Sequence, residues 1–197
     1  MNIFLLGYLV LFLSITLGLR SYLAWRATGI NPYVFGRSDS AYDYVASLFK
    51  GVIAALVISV VLNALGGQAA AVLMPIALPK SEGFAALGVL LLVLAFVCVV
   101  IAQMHMGHSW RIGIPVGQVA PELVTSGIFS RSRNPIFLGM SLALIGVFLL
   151  MPGAASLAIG LFGVALMQVQ ARLEESFLLA AHGMAYQTYR AATPRWL

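Results

Sequence analysis

The sequence predicts an all-α integral membrane protein with five transmembrane helices, the last two of which form a tight hairpin. Of the 197 residues, 61% are hydrophobic and only 9% are charged, whereas about 25% of residues are charged in an average soluble domain. The chain contains long uncharged runs, each near or beyond the roughly 20 residues that a spanning helix requires. These runs cover 1–19, 51–79, 83–110 and 134–171. They are continuously apolar rather than alternating, which excludes a transmembrane barrel.

The first three runs each predict one span. We expect the spans at about 3–19, about 48–66 and about 84–106. Arg20 bounds the first, and the pair Gly66-Gly67 ends the second. Their length and continuous hydrophobicity are typical of transmembrane helices.

The fourth run predicts two spans joined by a turn. The segment 134–171 is too long for a single helix across a bilayer. Pro152-Gly153 lies at its middle, and this dipeptide is a strong turn signal. The sequence therefore predicts a tight helical hairpin.

The distribution of basic residues predicts the orientation. Five spans place 20–47, 107–133 and 172–197 on one side, and these segments together with Lys50 hold ten of the eleven Lys and Arg residues. Lys80 falls on the other side. Because cytoplasmic loops carry the excess of Lys and Arg, the N-terminus is expected outside and the C-terminus in the cytoplasm.

Three tryptophans follow predicted span ends on the basic side. Trp25, Trp110 and Trp196 are interpreted as anchors in the headgroup layer, where amphipathic rings are favoured.

The chain is expected to form a single membrane domain over 1–197, with the first three spans in 1–106 and a polar-rich core in 107–197. Cys98 is the only cysteine, which excludes an intrachain disulfide and a Cys-based metal site. The net charge of +5 is spread over scattered residues, so nucleic acid is not an expected partner. The sequence sets no oligomeric state.

Polar residues gather in two segments, 103–137 and 168–190, at the predicted cytoplasmic ends of the last three spans. The hairpin brings these ends together, so one site can be built from both. His105 and His108 are three residues apart, but no third ligand has diagnostic spacing, so no metal site is expected.

Arg133-Asn134-Pro135 predicts the start of the fourth span, because Asn is a good helix N-cap and Pro is favoured at the first helical position. A helix start exposes backbone N–H groups, which together with Arg131 and Arg133 would attract a carboxylate or another anion. The alternative is an ordinary membrane helix that happens to follow arginine.

Glu174-Glu175 follows an apolar span and lies close to Arg172. Charges at this depth in a membrane protein are often functional. The alternative is the solvated end of a long fifth helix.

Three pieces of the sequence together resemble the isoprenylcysteine carboxyl methyltransferase family, which is itself similar to the phospholipid methyltransferases. These pieces are Leu123-Val-Thr-Ser-Gly-Ile-Phe129, then Arg133-Asn-Pro-Ile-Phe-Leu-Gly139, and finally Glu174-Glu175 followed by Gly183, Tyr186 and Tyr189. The resemblance covers about 103–197. The stretch Ser109-Trp-Arg-Ile-Gly113 is similar to bacterial members.

The resemblance implies that S-adenosyl-L-methionine lies in a cytoplasm-facing pocket. Asn134 and Phe137 stand where the family has His and Tyr, so Asn134 has no titratable proton and Phe137 has no hydroxyl. Arg133 is included among the residues expected to bind the cofactor because of its positive charge. The residues expected around the cofactor are Leu123, Val124, Phe129, Arg133, Asn134, Pro135, Ile136, Phe137 and Glu174.

The activity that this resemblance implies is methyl transfer to an apolar, lipid-like or lipidated acceptor that enters from the membrane lipids, in the inner membrane of a bacterium. A carboxylate acceptor, as in prenylcysteine methyl esterification, needs no base at neutral pH, and Arg172 is expected to align it. An amine or thiol acceptor needs deprotonation, for which Glu175 or Glu174 is the candidate base.

Two other functional classes remain open. A non-enzymatic transport subunit or assembly factor would have the same composition and topology. A nicotinamide-dependent membrane reductase is a further alternative, although the chain has no dinucleotide fingerprint.

Overall fold

The computed structural model describes residues 2–34, 40–77, 82–114 and 120–197. Its described residues form helices and connecting loops without a named strand. The α-helices are α1 (Asn2–Leu13), α2 (Arg20–Thr28), α3 (Ala41–Leu65), α4 (Gly67–Ala71), α5 (Glu82–Met106), α6 (Pro135–Leu150), α7 (Ala154–His182) and α8 (Met184–Ala192). A π-helical segment, Ser14–Leu19, joins α1 to α2 without a break.

Four helical stretches are long and apolar enough to cross a membrane: Ile3–Thr28, Ala41–Leu65, Glu82–Ser109 and Ala154–His182. The shorter helix Pro135–Leu150 is also apolar, and its 16 residues correspond to a length of about 24 Å. The all-helical, multi-pass membrane character predicted from the sequence is confirmed.

The predicted ends of two helices are wrong. The first helical stretch continues past Arg20 to Thr28, where Gly29 ends it with a left-handed φ of 68°. The helix α3 begins well before residue 48, because the side chain of Ser40 accepts a hydrogen bond from the backbone N–H of Asp43 and caps it. Charges marked the limits of the apolar runs, whereas caps and glycines set the limits of the helices.

The hairpin between α6 and α7 lies where Pro152-Gly153 predicted it. The segment after α4 packs directly against this turn, since the N–H of Ala154 donates to the carbonyl of Met74 at 3.0 Å and the N–H of Ile76 to that of Pro152 at 3.0 Å. A Cβ at Gly153 would lie 2.8 Å from the Leu73 carbonyl oxygen. Glycine is therefore required at 153 by close backbone approach.

The helices α5 and α6 pack closely through a glycine. A Cβ at Gly139 would lie 2.7 Å from a methyl group of Val99 and 3.1 Å from the carbonyl oxygen of Ala95. Close contact without side chains is typical of membrane helix pairs. This packing fixes where α6 begins relative to α5.

The π-helical segment ties the first helical stretch to its neighbours. Gln103 Nε2 donates to the Thr16 carbonyl at 3.0 Å, and the Tyr33 hydroxyl donates to the Leu17 carbonyl at 3.0 Å. A π-helical turn displaces carbonyls from the regular ladder. Here two of them bond to residues on α5 and on the loop after α2.

The predicted orientation rests in part on the placement of Lys80 opposite the other basic residues, and Lys80 lies outside the described residues. The number of spans, the side on which the termini lie and the division of the chain at 106 stay predictions.

Candidate functional site

A cavity of about 470 Å³ lies at one end of the bundle. Its walls come from the beginnings of α3 and α6, the last turns of α7, the helix α8 and two loops. One of these loops contains Ile112, which exchanges backbone hydrogen bonds with Pro32 and Val34 at 2.8 and 3.0 Å. The cavity is therefore built from segments that are far apart in the sequence.

The structure brings almost all of the predicted site residues together around this cavity. The predicted residues that line it are Leu123, Val124, Phe129, Arg133, Asn134, Pro135, Ile136, Phe137, Glu174 and Glu175. Two separated polar segments thus form one site, as the hairpin argument expected.

Arg172 does not line the cavity. Its side chain is exposed, and its Nη1 donates to the carbonyl and the side-chain oxygen of Gln168 at 2.6 and 3.2 Å. Arg172 is two residues before Glu174, a rotation of about 200° around the helix, so the two side chains leave α7 on nearly opposite faces. This geometry gives no support to the expectation that Arg172 aligns an acceptor.

Glu175 is the centre of a buried ion cluster. Arg195 donates to its two oxygens at 2.7 and 2.9 Å, and Arg133 Nη2 lies 3.2 and 3.3 Å from them. Asn134 Nδ2 adds a hydrogen bond at 3.3 Å. A carboxylate surrounded by donors in this way is a poor proton acceptor. The structure therefore gives no support to Glu175 as a catalytic base.

Asn134 and Pro135 occupy the N-cap and first positions of α6, as predicted, but the Asn134 side chain makes no capping bond. Its Nδ2 donates to Glu175 and to the carbonyl of Arg195 instead. The prediction of side-chain capping is wrong, because tertiary partners compete for the amide. The N–H groups of Ile136 and Phe137 in the first turn consequently lack a side-chain cap.

Glu174 has a different environment from its neighbour. Its side chain is partly buried, and among the described residues it accepts a hydrogen bond only from Gln170 Nε2, at 3.0 Å. Phe49 and Phe137 form a stacked pair in the cavity wall, with ring centroids 6.3 Å apart. Glu174 is thus a carboxylate next to apolar walls, and the described residues provide it with no ion pair.

Several buried polar atoms on cavity residues have no hydrogen-bond partner within the described part of the chain. They are Trp110 Nε1, Arg133 Nε, Gln170 Oε1 and the Tyr186 hydroxyl. Buried polar groups are normally satisfied. All four atoms belong to residues that line the cavity, although the atoms themselves have almost no accessible surface.

Tyr186 is the deepest of these residues, with only 1% of its surface exposed. Burial raises the pKa of Tyr186 to about 12, so its hydroxyl keeps the proton and can donate at neutral pH. The motif Gly183…Tyr186…Tyr189 had signalled this residue, but it had not been assigned to the site.

Other lining residues gave weaker signals in the sequence. Trp110 was expected to anchor the protein in the headgroup layer, yet it is buried with 6% of its surface exposed and lines the cavity. Phe49 and Ile53 of α3 also line it, and nothing local in the sequence distinguishes them from other apolar residues of a span.

Comparison with known protein families gives one match. The model of the phospholipid methyltransferase family matches residues 84–185, which is just over half of the chain. No curated protein matches the chain. The matched segment includes α5, α6, α7 and most of the cavity, but neither α3 nor Arg195.

Proposed function

The chain belongs to the phospholipid methyltransferase family, and on that premise we propose that it transfers a methyl group from S-adenosylmethionine to an apolar or lipid-like acceptor. A membrane methyltransferase activity follows from the family. The cofactor, the acceptor and the residue roles below are our proposals. The chain is treated as a single membrane domain in which 107–197 provides most of the cofactor contacts.

The observation that carries the proposal is the set of polar residues that the lining of one cavity brings together. Glu174 offers a carboxylate to an ammonium group, and the uncapped first turn of α6 offers N–H groups to a carboxylate. Tyr186 and Gln170 are further polar residues of the cavity lining. Methionine-derived cofactors carry an ammonium, a carboxylate and ribose hydroxyls, so the complement of groups fits.

When bound, S-adenosylmethionine supplies an electrophilic methyl group on a sulfonium. The task left to the protein is to orient the donor and the acceptor in line and to keep water away. The apolar wall that contains Phe49, Phe137 and Leu178 excludes water from the reacting atoms. The polar groups of the lining hold the cofactor.

An ionised carboxylate is our preferred acceptor, because it is nucleophilic at neutral pH without a base. A carboxylate acceptor also fits the described lining, because neither glutamate is free to act as a base: Glu175 is surrounded by donors, and Glu174 is assigned to the cofactor. Lys50 and Arg111 are basic residues of the cavity lining that can attract an anionic acceptor. An amine acceptor is the second candidate, and Glu174 would then be the group that takes the proton.

Ligand binding to the purified protein in detergent tests the proposal first. We expect S-adenosylhomocysteine to raise the unfolding temperature, since saturation at 100 times the dissociation constant adds about 2.7 kcal/mol. NADPH should leave the temperature unchanged. Stabilisation by NADPH alone would favour a reductase, and the absence of any shift would favour a non-enzymatic protein.

Product chemistry then identifies the acceptor class. The protein is incubated with membrane lipid extract and cofactor labelled on the methyl group. A labelled product that mild base hydrolyses to methanol is a methyl ester, as expected for a carboxylate acceptor. A base-resistant labelled lipid would exclude a carboxylate acceptor and would indicate an amine or thiol acceptor instead.

A further inference from the structure

We propose that Arg195 is a positioning residue that holds the start of α6 in the geometry that binds the cofactor. It acts through Glu175 and Asn134 and does not itself line the cavity. The identity of the ligand in this inference rests on the proposed function. The positioning role itself rests on contacts within the protein.

Arg195 contacts the site through two groups. Its guanidinium donates to both oxygens of Glu175 at 2.7 and 2.9 Å. Its backbone carbonyl accepts hydrogen bonds from Asn134 Nδ2 and Ser132 Oγ, both at 3.3 Å. Since Asn134 Nδ2 also donates to Glu175, these three residues form a closed ring of hydrogen bonds.

The residues before Arg195 also bond to the segment that leads into α6, and we call this contact the junction. The backbone N–H of Arg133 donates to the Pro194 carbonyl at 3.0 Å, and its Nη1 donates to the carbonyls of Arg190 and Thr193 at 2.9 and 2.7 Å. The Tyr189 hydroxyl donates to the Phe129 carbonyl at 2.7 Å. Hydrogen bonds therefore attach the segment 189–195 to Phe129 and Arg133, which precede α6 in the chain.

The ring also fixes which way the Asn134 side chain points. An Asn at an N-cap can turn back and bond to the first-turn N–H groups of its own helix. With its amide held by Glu175 and Arg195, Asn134 leaves these N–H groups to the cavity. Without the Arg195 side chain, Glu175 loses its two shortest hydrogen bonds, at 2.7 and 2.9 Å. The carboxylate that orients Asn134 Nδ2 is then held less firmly, and the ring opens. A loss of cofactor affinity is the expected consequence.

Calorimetric titration of the full-length protein with S-adenosylhomocysteine tests the role. Arg195→Met should raise the dissociation constant about fivefold, an effect of the size of one ordinary hydrogen bond. Arg195→Lys retains the charge and should recover part of the affinity. In the Glu175→Gln background, Arg195→Met should add little, because the residue acts through Glu175.

Arg190→Met is the matched control. Arg190 is an exposed arginine of the same segment, and within the described residues only its carbonyl is used in the junction. Its substitution removes the same charge without opening the ring, so the dissociation constant should stay that of the wild type. The KM for the acceptor should be the same in both variants.

Hydrogen exchange without any ligand gives a second readout that does not depend on the cofactor. The amides of 129–137 should exchange about fivefold faster in Arg195→Met than in Arg190→Met, while those of 84–106 stay unchanged. Failure of the wild type to bind S-adenosylhomocysteine would reject the proposed function, and the exchange experiment would still decide the role of Arg195. Equal exchange over 129–137 in the two variants would overturn the inference.

Discussion

Two adjacent glutamates illustrate how the site is organised at the scale of single residues. Glu175 is 6% exposed and is surrounded by Arg133, Arg195 and Asn134. Glu174 is bonded to Gln170 and lines the cavity. Successive residues on a helix are rotated by about 100°, so one carboxylate reaches the junction with α6 and the other reaches the cavity.

The two glutamates should differ in opposite ways in binding and stability. Glu174→Gln should weaken S-adenosylhomocysteine binding by about 1.5–3 kcal/mol through loss of a charge-assisted hydrogen bond. Glu175→Gln should weaken binding less but should lower the unfolding temperature more, because it disrupts a buried ion cluster. Calorimetric titration measures the dissociation constants of the two variants, and thermal unfolding measures their unfolding temperatures. Equal dissociation constants for the wild type and Glu174→Gln would remove Glu174 from the site.

Tyr186 gives a prediction for pH dependence. Burial raises its pKa from 10 to about 12, so the neutral hydroxyl is favoured in the folded state. The stabilisation is complete below pH 10 and is lost as the pH rises through about 12. The wild type should therefore lose more stability in this range than Tyr186→Phe. Identical losses would show that Tyr186 does not titrate differently on folding.

Arg172 should be dispensable for catalysis. Because its side chain is exposed and bonds to Gln168 of its own helix, Arg172→Ala should keep turnover with lipid extract and the affinity for S-adenosylhomocysteine. Rates of labelled methyl transfer measure this. A fall in turnover of about tenfold or more, at unchanged cofactor affinity, would restore a role for Arg172 toward the acceptor.

At the scale of helices, α3 is one of the elements that line the cavity from outside the matched family segment. It contributes Phe49 and Ile53 to the wall, whereas the predicted cofactor residues belong to the segment 84–185. Because α3 supplies the apolar wall, we expect this helix to influence the choice of acceptor more than the binding of cofactor.

Ile53→Trp tests this division of roles by filling the α3 side of the cavity. The KM for long-chain acceptors should rise by about tenfold, since overpacking opposes the entry of a bulky apolar group. The dissociation constant of S-adenosylhomocysteine should hardly change. Ile58→Trp on the same helix is the control, because Ile58 is exposed and is not part of the cavity wall. Equal effects of both substitutions on KM would contradict the assignment.

At the scale of the whole molecule, the cavity lies at the end of the bundle where the sequence places most of the basic residues. The cavity is formed where α3 and α6 begin and where α7 approaches its end, which is the side that charge asymmetry places in the cytoplasm. We therefore expect the site to open toward the cytoplasm.

Cysteine labelling in oriented vesicles tests the five-span topology. On a Cys98→Ala background, a cysteine introduced at position 190 should react only with reagent on the cytoplasmic side, and one at position 80 only with reagent outside. Methyl transfer by the Cys98→Ala protein is the control that this substitution leaves the protein folded and active. Labelling of both positions from the same side would reject five spans.

Features that depend on local composition could be predicted from the sequence alone. Uncharged length identified the membrane helices, Pro152-Gly153 divided the hairpin, and Asn134-Pro135 marked the start of α6. Each follows from a property of a few neighbouring residues, such as hydrophobicity or a restricted backbone. The resemblance of the motifs then indicated that the two polar segments belong to one site.

The partner of each polar side chain, in contrast, depends on tertiary contacts that the sequence does not reveal. It turned Arg172 away from the cavity, enclosed Glu175 in an ion cluster with Arg195, diverted Asn134 from capping and placed α3 in the wall. These contacts join residues that are far apart in the chain, such as Asn134 and Arg195. Their geometry depends on how closely α5, α6 and α7 pack, and this distance is set by side chains on different helices rather than by any local pattern.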